Sequence, residues 1–363
     1  MTDKRLIDLF LELARLDGLS GKEAPVADYA ISFLKKLELP ANRDGAAVVS
    51  GANTGNVVCP VNGGGDFVLL AHMDTARPTA STKQVVTANR VTSDGKSQLG
   101  ADNRAGVAEI LYAVERAVNA GQPLKQFTIA FTTQEETSMA GGLNLGLPKG
   151  IRHGFVFDSS LDPGDYAIAS PGAAVFSVQI AGKPSHAGIA PEKGISAIGI
   201  AAKAIAALHF GRHDEETTSN LGTIAGGEAT NVVPASALVR GEVRSLDAAK
   251  VPPILDGIKA GFQKAAADAG GSVKFDWYWD FKPYKHDKDS EVCLLAETAI
   301  KAAGLTPAAV PSHGGSDANS LNAKGVATVN FGIGARNPHA DDEYILLEHL
   351  AKASEIIWQL IKK

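Results

Sequence analysis

Residues 170–182 read SPGAAVFSVQIAG, and at this stretch the sequence changes character. Upstream of it, strand-like apolar runs alternate with helical ones. The strand-like runs are NVVCPV (Asn56–Val61), DFVLLAHMD (Asp66–Asp74), QFTIAFTTQ (Gln126–Gln134) and HGFVFDSS (His153–Ser160), and AGVAEILYAVERAVNAG (Ala105–Gly121) has helical periodicity. That alternation predicts an α/β sheet with helices on its faces. Downstream, the strand AAVFSVQIAG is followed by a helix, GISAIGIAAKAIAALHF (Gly194–Phe210), and two strands, NLGTIAGG (Asn220–Gly227) and SALVRGEVRSL (Ser236–Leu246). A second helix, VPPILDGIKAGFQKAAADAGG (Val251–Gly271), and a last strand, SVKFDWYWDF (Ser272–Phe281), complete the set.

The order strand, helix, strand, strand, helix, strand is that of a ferredoxin-like (βαββαβ) two-layer domain, which buries its own core. The expectation is therefore a domain over residues 172–282. From about Pro283 the chain resumes helix and strand with SEVCLLAETAIKAAG, VATVNFGIG and LLEHLAKASEIIWQLIKK. These few elements cannot make a core alone, so they are expected to complete the first sheet. The predicted architecture is a discontinuous α/β domain, 1–171 with 283–363, carrying 172–282 as an insertion.

Composition narrows the function classes. The chain of 363 residues is 45% hydrophobic and 21% charged with a net charge of −5, as in globular proteins. Nothing in that balance attracts nucleic acid or an anionic membrane. No apolar run reaches the length of a membrane span, and the first 21 residues interrupt their apolar positions with charges, unlike an export signal. The expected location is cytoplasmic. Cys59 and Cys293 are the only cysteines, each in an apolar context, and are expected to be buried thiols. A metal would be held by His and carboxylate.

Several such residues sit where strands give out. His72 and Asp74 share a strand face two positions apart, which suits an imidazole oriented by a carboxylate, or a structural histidine bonded to its neighbour. Asp102 opens a helix, where an N-cap is the ordinary reading. Glu135 and Glu136 stand side by side after QFTIAF, and on an extended chain such neighbours face apart. Asp158 closes a strand and His339 follows one. In α/β sheets ligands gather beyond the carboxyl ends of the strands. Two imidazoles and several carboxylates without thiolate make the donor set of a zinc or related divalent site, with enough groups for two metals. His313, in PSHGGSDANS, lies in a Gly- and Ser-rich loop. The other histidines, His153, His209, His213, His286 and His349, read as surface. Gly332 and Gly334 of FGIG suit either a close backbone approach to substrate or a turn.

In order, the chain contains AHMDT (Ala71–Thr75), LGADNRAG (Leu99–Gly106), TTQEE (Thr132–Glu136), FDSS (Phe157–Ser160), KPSHAG (Lys183–Gly188), TNVVP (Thr230–Pro234) and NPHADDE (Asn337–Glu343). In these motifs and in the inserted domain it resembles, over essentially its whole length, the dinuclear metallopeptidases that include peptidase T, carboxypeptidase G and the acylamino-acid and succinyl-diaminopimelate hydrolases. FDSS and NPHADDE lean towards the peptidase T-like branch. The resemblance implies a zinc-peptidase-like catalytic domain with a lid, and two divalent ions, zinc with cobalt or manganese as alternatives. It implies His72, Asp102 and Asp158 at one metal, and Asp102, Glu136 and His339 at the other. Glu135 would be the general base and Asp74 would orient His72. His186 would donate to the developing oxyanion, and Asn231 and Arg244 would hold substrate, with Arg240 the rival arginine. A cis peptide after Asp102 and a homodimer through the lid are further implications. The implied activity is hydrolysis of a terminal amide of a short peptide, as by an aminopeptidase or tripeptidase. An acylamino-acid amidohydrolase, a carboxypeptidase and a non-catalytic metal- or peptide-binding protein are the alternatives.

Overall fold

The apolar runs of the first half become strands Val57–Val61, Phe67–His72, Phe127–Thr132 and His153–Ser159 in the computed structural model, which describes residues 2–363. Every residue of Phe67–His72 and Phe127–Thr132 is buried, as expected for strands covered on both faces. Phe67–His72 lies between the other two, parallel to both, with His72 opposite Thr132. Val57–Val61 adds an antiparallel edge. The segment after residue 283 completes the sheet: Ala327–Gly332 runs parallel to His153–Ser159 and pairs on its other side with Asp165–Ser170. Parallel neighbours bring the carboxyl ends of Phe67–His72, Phe127–Thr132 and His153–Ser159 to one edge, and each carries a candidate ligand or base at or just past its end.

Phe67, Phe127, Phe155, Phe157 and Phe331 form the centre of the larger core, with Phe157 and Phe331 stacked at 4.8 Å. Helix Ala101–Asn119 packs on strand Phe67–His72 and against helices Lys4–Ala14 and Leu347–Ile361. It approaches the sheet closely because residue 106 is glycine; a Cβ there would stand 2.3 Å from Phe157 O and 2.4 Å from Asn103 Oδ1. The same helix buries Glu109 completely, with no hydrogen-bond partner for either carboxylate oxygen among the described residues. A small four-stranded sheet built from residues 85–86, 90–92, 335–336 and 344–346 was not foreseen; its strands are too short to show a period.

The chain divides into two compact units, 2–169 with 285–363 and 170–284. In the second unit, strands Gly172–Ala181, Thr217–Gly226, Ser236–Ser245 and Ser272–Phe281 form an antiparallel sheet whose inner pair is Ser236–Ser245 and Gly172–Ala181. Helices Ala197–Ala207 and Val251–Ala269 cover one face, the first capped by Ser196 Oγ accepting from Gly199 N at 3.0 Å. Along residues 174–181 Ala174, Phe176, Val178 and Ile180 are buried and the alternate positions are not, the period-2 pattern of a half-covered sheet. The observed mixed α/β fold and βαββαβ unit agree with the order read from the sequence.

Two expectations fail. His153 and His349 are buried, not at the surface: His153 opens a central strand, and His349 Nδ1 lies 3.2 Å from Gly334 O. Polar sequence neighbours hid the burial that tertiary packing imposes. Cys59 and Cys293 are buried free thiols. Among the described residues no helix is long and apolar enough to cross a membrane.

Candidate metal centre

His72 ends its strand with the ring almost wholly buried. Its Nδ1 lies 3.1 Å from the main-chain O of Asp74 and 3.3 Å from Asp74 Oδ1. Its Nε2 lies 3.1 Å from both Asp102 Oδ1 and Asp158 Oδ1. His339 Nε2 lies 2.8 Å from Glu136 Oε2 and 3.4 Å from Asp102 Oδ2. The structure thus gathers His72, Asp102 and Asp158 into one group and Asp102, Glu136 and His339 into another, with donor atoms in each within 4.8 Å of one another and Asp102 common to both.

These donors fit divalent cations on two counts. Among the described residues Glu136 Oε1 and Asp158 Oδ1 are buried without a hydrogen bond; a single ring nitrogen of His72 cannot serve both neighbouring aspartates in line. Buried anionic oxygens left in this way are costly unless a cation compensates them. The second count is chemistry: imidazole nitrogen and carboxylate oxygen without thiolate suit zinc, cobalt or manganese. The electrostatics carry the same demand for positive charge. Hydrogen bonds to Asp102 and Glu136 push His339 up to about 10. Burial opposes protonation of His72, but Asp158, Asp102 and Asp74 outweigh it and raise its pKa. Burial likewise opposes ionisation of Asp102, and its hydrogen bonds with His339 and His72 win, holding it well below the usual range.

Glu135 belongs to neither group. It faces the same cavity of about 330 Å³ as Asp102, Glu136, Asp158 and His339, with Oε2 3.9 Å from His72 Nε2. Burial, reinforced by the charges of Asp158, Asp317 and Glu136 against the pull of His72, raises its carboxyl pKa well above the ordinary value. The expectation that the two glutamates point apart on an extended chain is corrected. Gln134 adopts a left-handed conformation (φ 56°) and turns the chain into a one-turn helix, Glu135–Ser138, so both side chains enter the cavity.

Asp74 does more than orient an imidazole. Its Oδ1 accepts the N–H of Glu135 and its Oδ2 the N–H of Glu136, each at 3.1 Å, and Oδ2 also accepts from Ser20 Oγ at 2.6 Å. One buried carboxylate therefore fixes the peptide units of both glutamates. Sequence reasoning missed three similar groups. Glu23 Oε1 accepts from Gly21 N (2.7 Å) and Gln134 N (2.9 Å). Glu343 accepts from Gly100 N (2.7 Å) and Asp102 N (2.9 Å). Asp317 is buried behind the site and accepts from Thr132 Oγ1. Glu343 and Asp317 lay within stretches already singled out, NPHADDE and PSHGGSDANS, but nothing there set Glu343 apart from Asp341 and Asp342 or drew attention to Asp317 beside His313. The peptide bond between Asp102 and Asn103 is cis, as the resemblance implied.

The remaining candidates divide. His313 is exposed and lines the cavity. Gly332 and Gly334 instead accommodate protein atoms: a Cβ would come within 2.3 Å of Asp162 O at the first and 2.0 Å of His349 Nδ1 at the second. In the smaller unit, His186 and Asn231 lie on adjoining loops, with Ala187 N bonded to Asn231 O at 2.9 Å. His186 Nδ1 accepts from Gly188 N at 3.2 Å, so Nε2 is its available donor. Arg244 is held by both oxygens of Glu242, at 2.8 and 3.1 Å, whereas Arg240 is exposed and forms no ion pair among the described residues.

The chain is similar to known proteins along its length. A peptidase T of Clostridium botulinum is 26% identical, over 98% of this chain and 97% of its own. The crystal structure of the aminopeptidase PepT from Bacillus cereus superposes with a TM-score of 0.90 at 32% identity, covering 99% of this chain and 98% of that one. A tripeptidase from Staphylococcus aureus gives a TM-score of 0.92 at 29% identity, covering 100% and 98%. The model of peptidase family M20/M25/M40 matches residues 68–363, from the strand that carries His72 to the last helix. This chain is therefore a peptidase, and it belongs to family M20/M25/M40.

Proposed function

We propose that the chain is a metal-dependent aminopeptidase that removes the N-terminal residue of short peptides, tripeptides among them. The observation that carries the mechanism is Glu135: a half-buried carboxylate in the cavity, beside both ligand groups and belonging to neither. His72, Asp102 and Asp158 would hold one divalent ion, and Asp102, Glu136 and His339 a second, zinc being the first choice for this donor set. When bound, such ions supply Lewis acidity, lowering the pKa of a water and drawing charge from the scissile carbonyl.

The chain's own residues do the rest. Glu135 takes the proton of the attacking water on its free carboxylate and passes it to the departing amine. Asp74 holds the Glu135 and Glu136 peptide units so that base and ligand stay in register. His186, whose Nε2 is its available donor, stabilises the oxyanion. Asn231 and Arg244 bind the substrate's polar groups, and a planar guanidinium suits its carboxylate. A homodimer through the smaller unit belongs to the same reading, supported by strand Thr217–Gly226, whose outer edge beyond Ser219 has no partner among the described residues.

The relatives named as peptidase T, aminopeptidase and tripeptidase support the substrate class. The test is a panel of di- and tripeptides with free and acetylated N-termini, run on the wild type, Glu135→Gln and Glu136→Gln with metal content measured in parallel. Free-amine substrates alone should be cleaved. Glu135→Gln should keep its metals without turnover, and Glu136→Gln should lose metal. Equal cleavage of acetylated peptides would refute the aminopeptidase reading, and an active Glu135→Gln would refute the base.

A further inference from the structure

Asp102 belongs to both ligand groups, so its placement decides whether either one forms. Its own helix does not hold it. Asp102 lies outside helical geometry (φ −84°, ψ 106°), and Gly100 before it is left-handed at φ 80°. Asn103 is outside helical geometry too (φ −122°, ψ 35°), and its Oδ1 accepts from Gly106 N at 3.1 Å. Asn103 Nδ2 also donates to Phe157 O at 2.9 Å, which ties this turn to the residue preceding Asp158.

The other side of the turn is gripped by Glu343. Its Oε2 accepts from Gly100 N at 2.7 Å and its Oε1 from Asp102 N at 2.9 Å, two alternate N–H groups of one turn on one fully buried carboxylate. Bonds from N–H to a carboxylate are short and strong. Glu343 lies four residues beyond His339, and the loop between them is itself fixed. Asn337 Nδ2 donates to Asp342 Oδ2 at 2.8 Å, Ser93 Oγ to Asp341 O at 2.7 Å, and Arg77 Nη1 to His339 O at 3.2 Å. A single side chain therefore joins the Asp102 turn to the His339 loop, across which His339 Nε2 stands 3.4 Å from Asp102 Oδ2.

The geometry points to Glu343 as a positioning residue of the centre: through Gly100 N and Asp102 N it holds the shared ligand at the spacing from His339 that the second group requires. The inference rests on the reading that both groups hold cations. It separates the two groups in a testable way. The first keeps its own tie, Asn103 to Phe157 O beside Asp158, whereas the second depends on Glu343.

The test is cobalt(II) titration of the metal-stripped full-length chain, wild type against Glu343→Gln, followed by kcat and KM at low and high cobalt. Gln keeps one acceptor oxygen and turns an NH2 towards the other N–H, so one contact is replaced by a donor facing a donor. The expected result is two tight equivalents in the wild type. In the variant one of them weakens by about 10- to 100-fold, the usual size of an outer-shell effect, while the other is little changed. Correspondingly, kcat should fall at low cobalt with KM unmoved and recover at high cobalt, which a merely structural role would not produce. If Glu343→Gln does not fold, Glu343→Asp, which keeps the charge one methylene short, is read by the same criteria. Wild-type affinity for both equivalents in the variant overturns the inference alone, as does equal weakening of both. A wild type that takes up no cobalt overturns the metal reading and the inference with it.

Discussion

Replacing Asp74 by Asn keeps the shape of a side chain that four groups share. In the native chain Oδ1 accepts the Glu135 N–H and lies 3.3 Å from His72 Nδ1, and Oδ2 accepts the Glu136 N–H and the Ser20 hydroxyl. Asn must place its NH2 on one of these sides. On the Oδ2 side Ser20 can turn and accept, but the Glu136 N–H then meets a donor; on the Oδ1 side the Glu135 N–H does. Either way one buried main-chain donor is orphaned, and a hydrogen bond to a charged acceptor is lost, a change of about 1.5–3 kcal/mol. His72 should keep its tautomer, because the main-chain O of Asp74 also accepts from Nδ1 at 3.1 Å, so metal affinity should fall by only about tenfold, the low end for outer-shell changes. The Asp74 carboxyl is held below its ordinary value of 3.8: burial opposes this, and His72, Ser20 and the Glu135 N–H outweigh it. A depressed acid contributes stability that is complete above the unfolded value and lost as pH falls through the native one. The gap between wild type and Asp74→Asn should therefore be full at pH 7 and close below about pH 4. Urea unfolding of the metal-stripped chain across that range measures it. A variant within about 0.5 kcal/mol of wild type at pH 7, or a gap that persists at acid pH, would refute the role given to this carboxylate.

Glu109, buried without a partner among the described residues, has its carboxyl pKa pushed well above 4.5 by burial alone. The native state then holds a proton that the unfolded chain releases, so stability falls as pH rises from about 4.5 to the raised value. Glu109→Met should gain on wild type by up to about 1.4 kcal/mol per pH unit over that window, and a pH-independent difference in urea unfolding would contradict it. Gly106→Ala should destabilise by about 1–3 kcal/mol, because its Cβ would enter Phe157 O and Asn103 Oδ1; loss of metal affinity should accompany the fall in melting temperature, and unchanged affinity would separate the helix from the site. Arg244→Ala should raise KM for peptides with a free carboxylate far more than for their amides, and an equal effect on both in steady-state assays would remove Arg244 from substrate binding.

Much of the fold was legible because the signals are local. The alternation along residues 174–181 and the all-apolar runs at Phe67–His72 and Phe127–Thr132 each follow from how many faces of a strand are covered. The ligand types were legible because the motifs put His and carboxylates where strands end. The burial of His153 and His349 was not, since it depends on elements far away in the sequence. Nor was the turn at Gln134, where a non-glycine residue adopts a left-handed conformation that only its surroundings explain: Glu23 holds its N–H.

By itself the sequence determined the main strands and helices, those of the βαββαβ unit among them, and a set of donors without thiolate. Side-chain period and residue chemistry are properties of short stretches. The family resemblance already implied that Asp102 serves both groups and Glu135 neither; tertiary structure alone decided that Arg244 is already paired with Glu242, and that Asp74, Glu23 and Glu343 spend their oxygens on main-chain N–H groups of the site. A carboxylate bonds to whichever donor comes within about 3 Å, and for residues distant in the chain that proximity exists only once the sheet has brought its strand ends together.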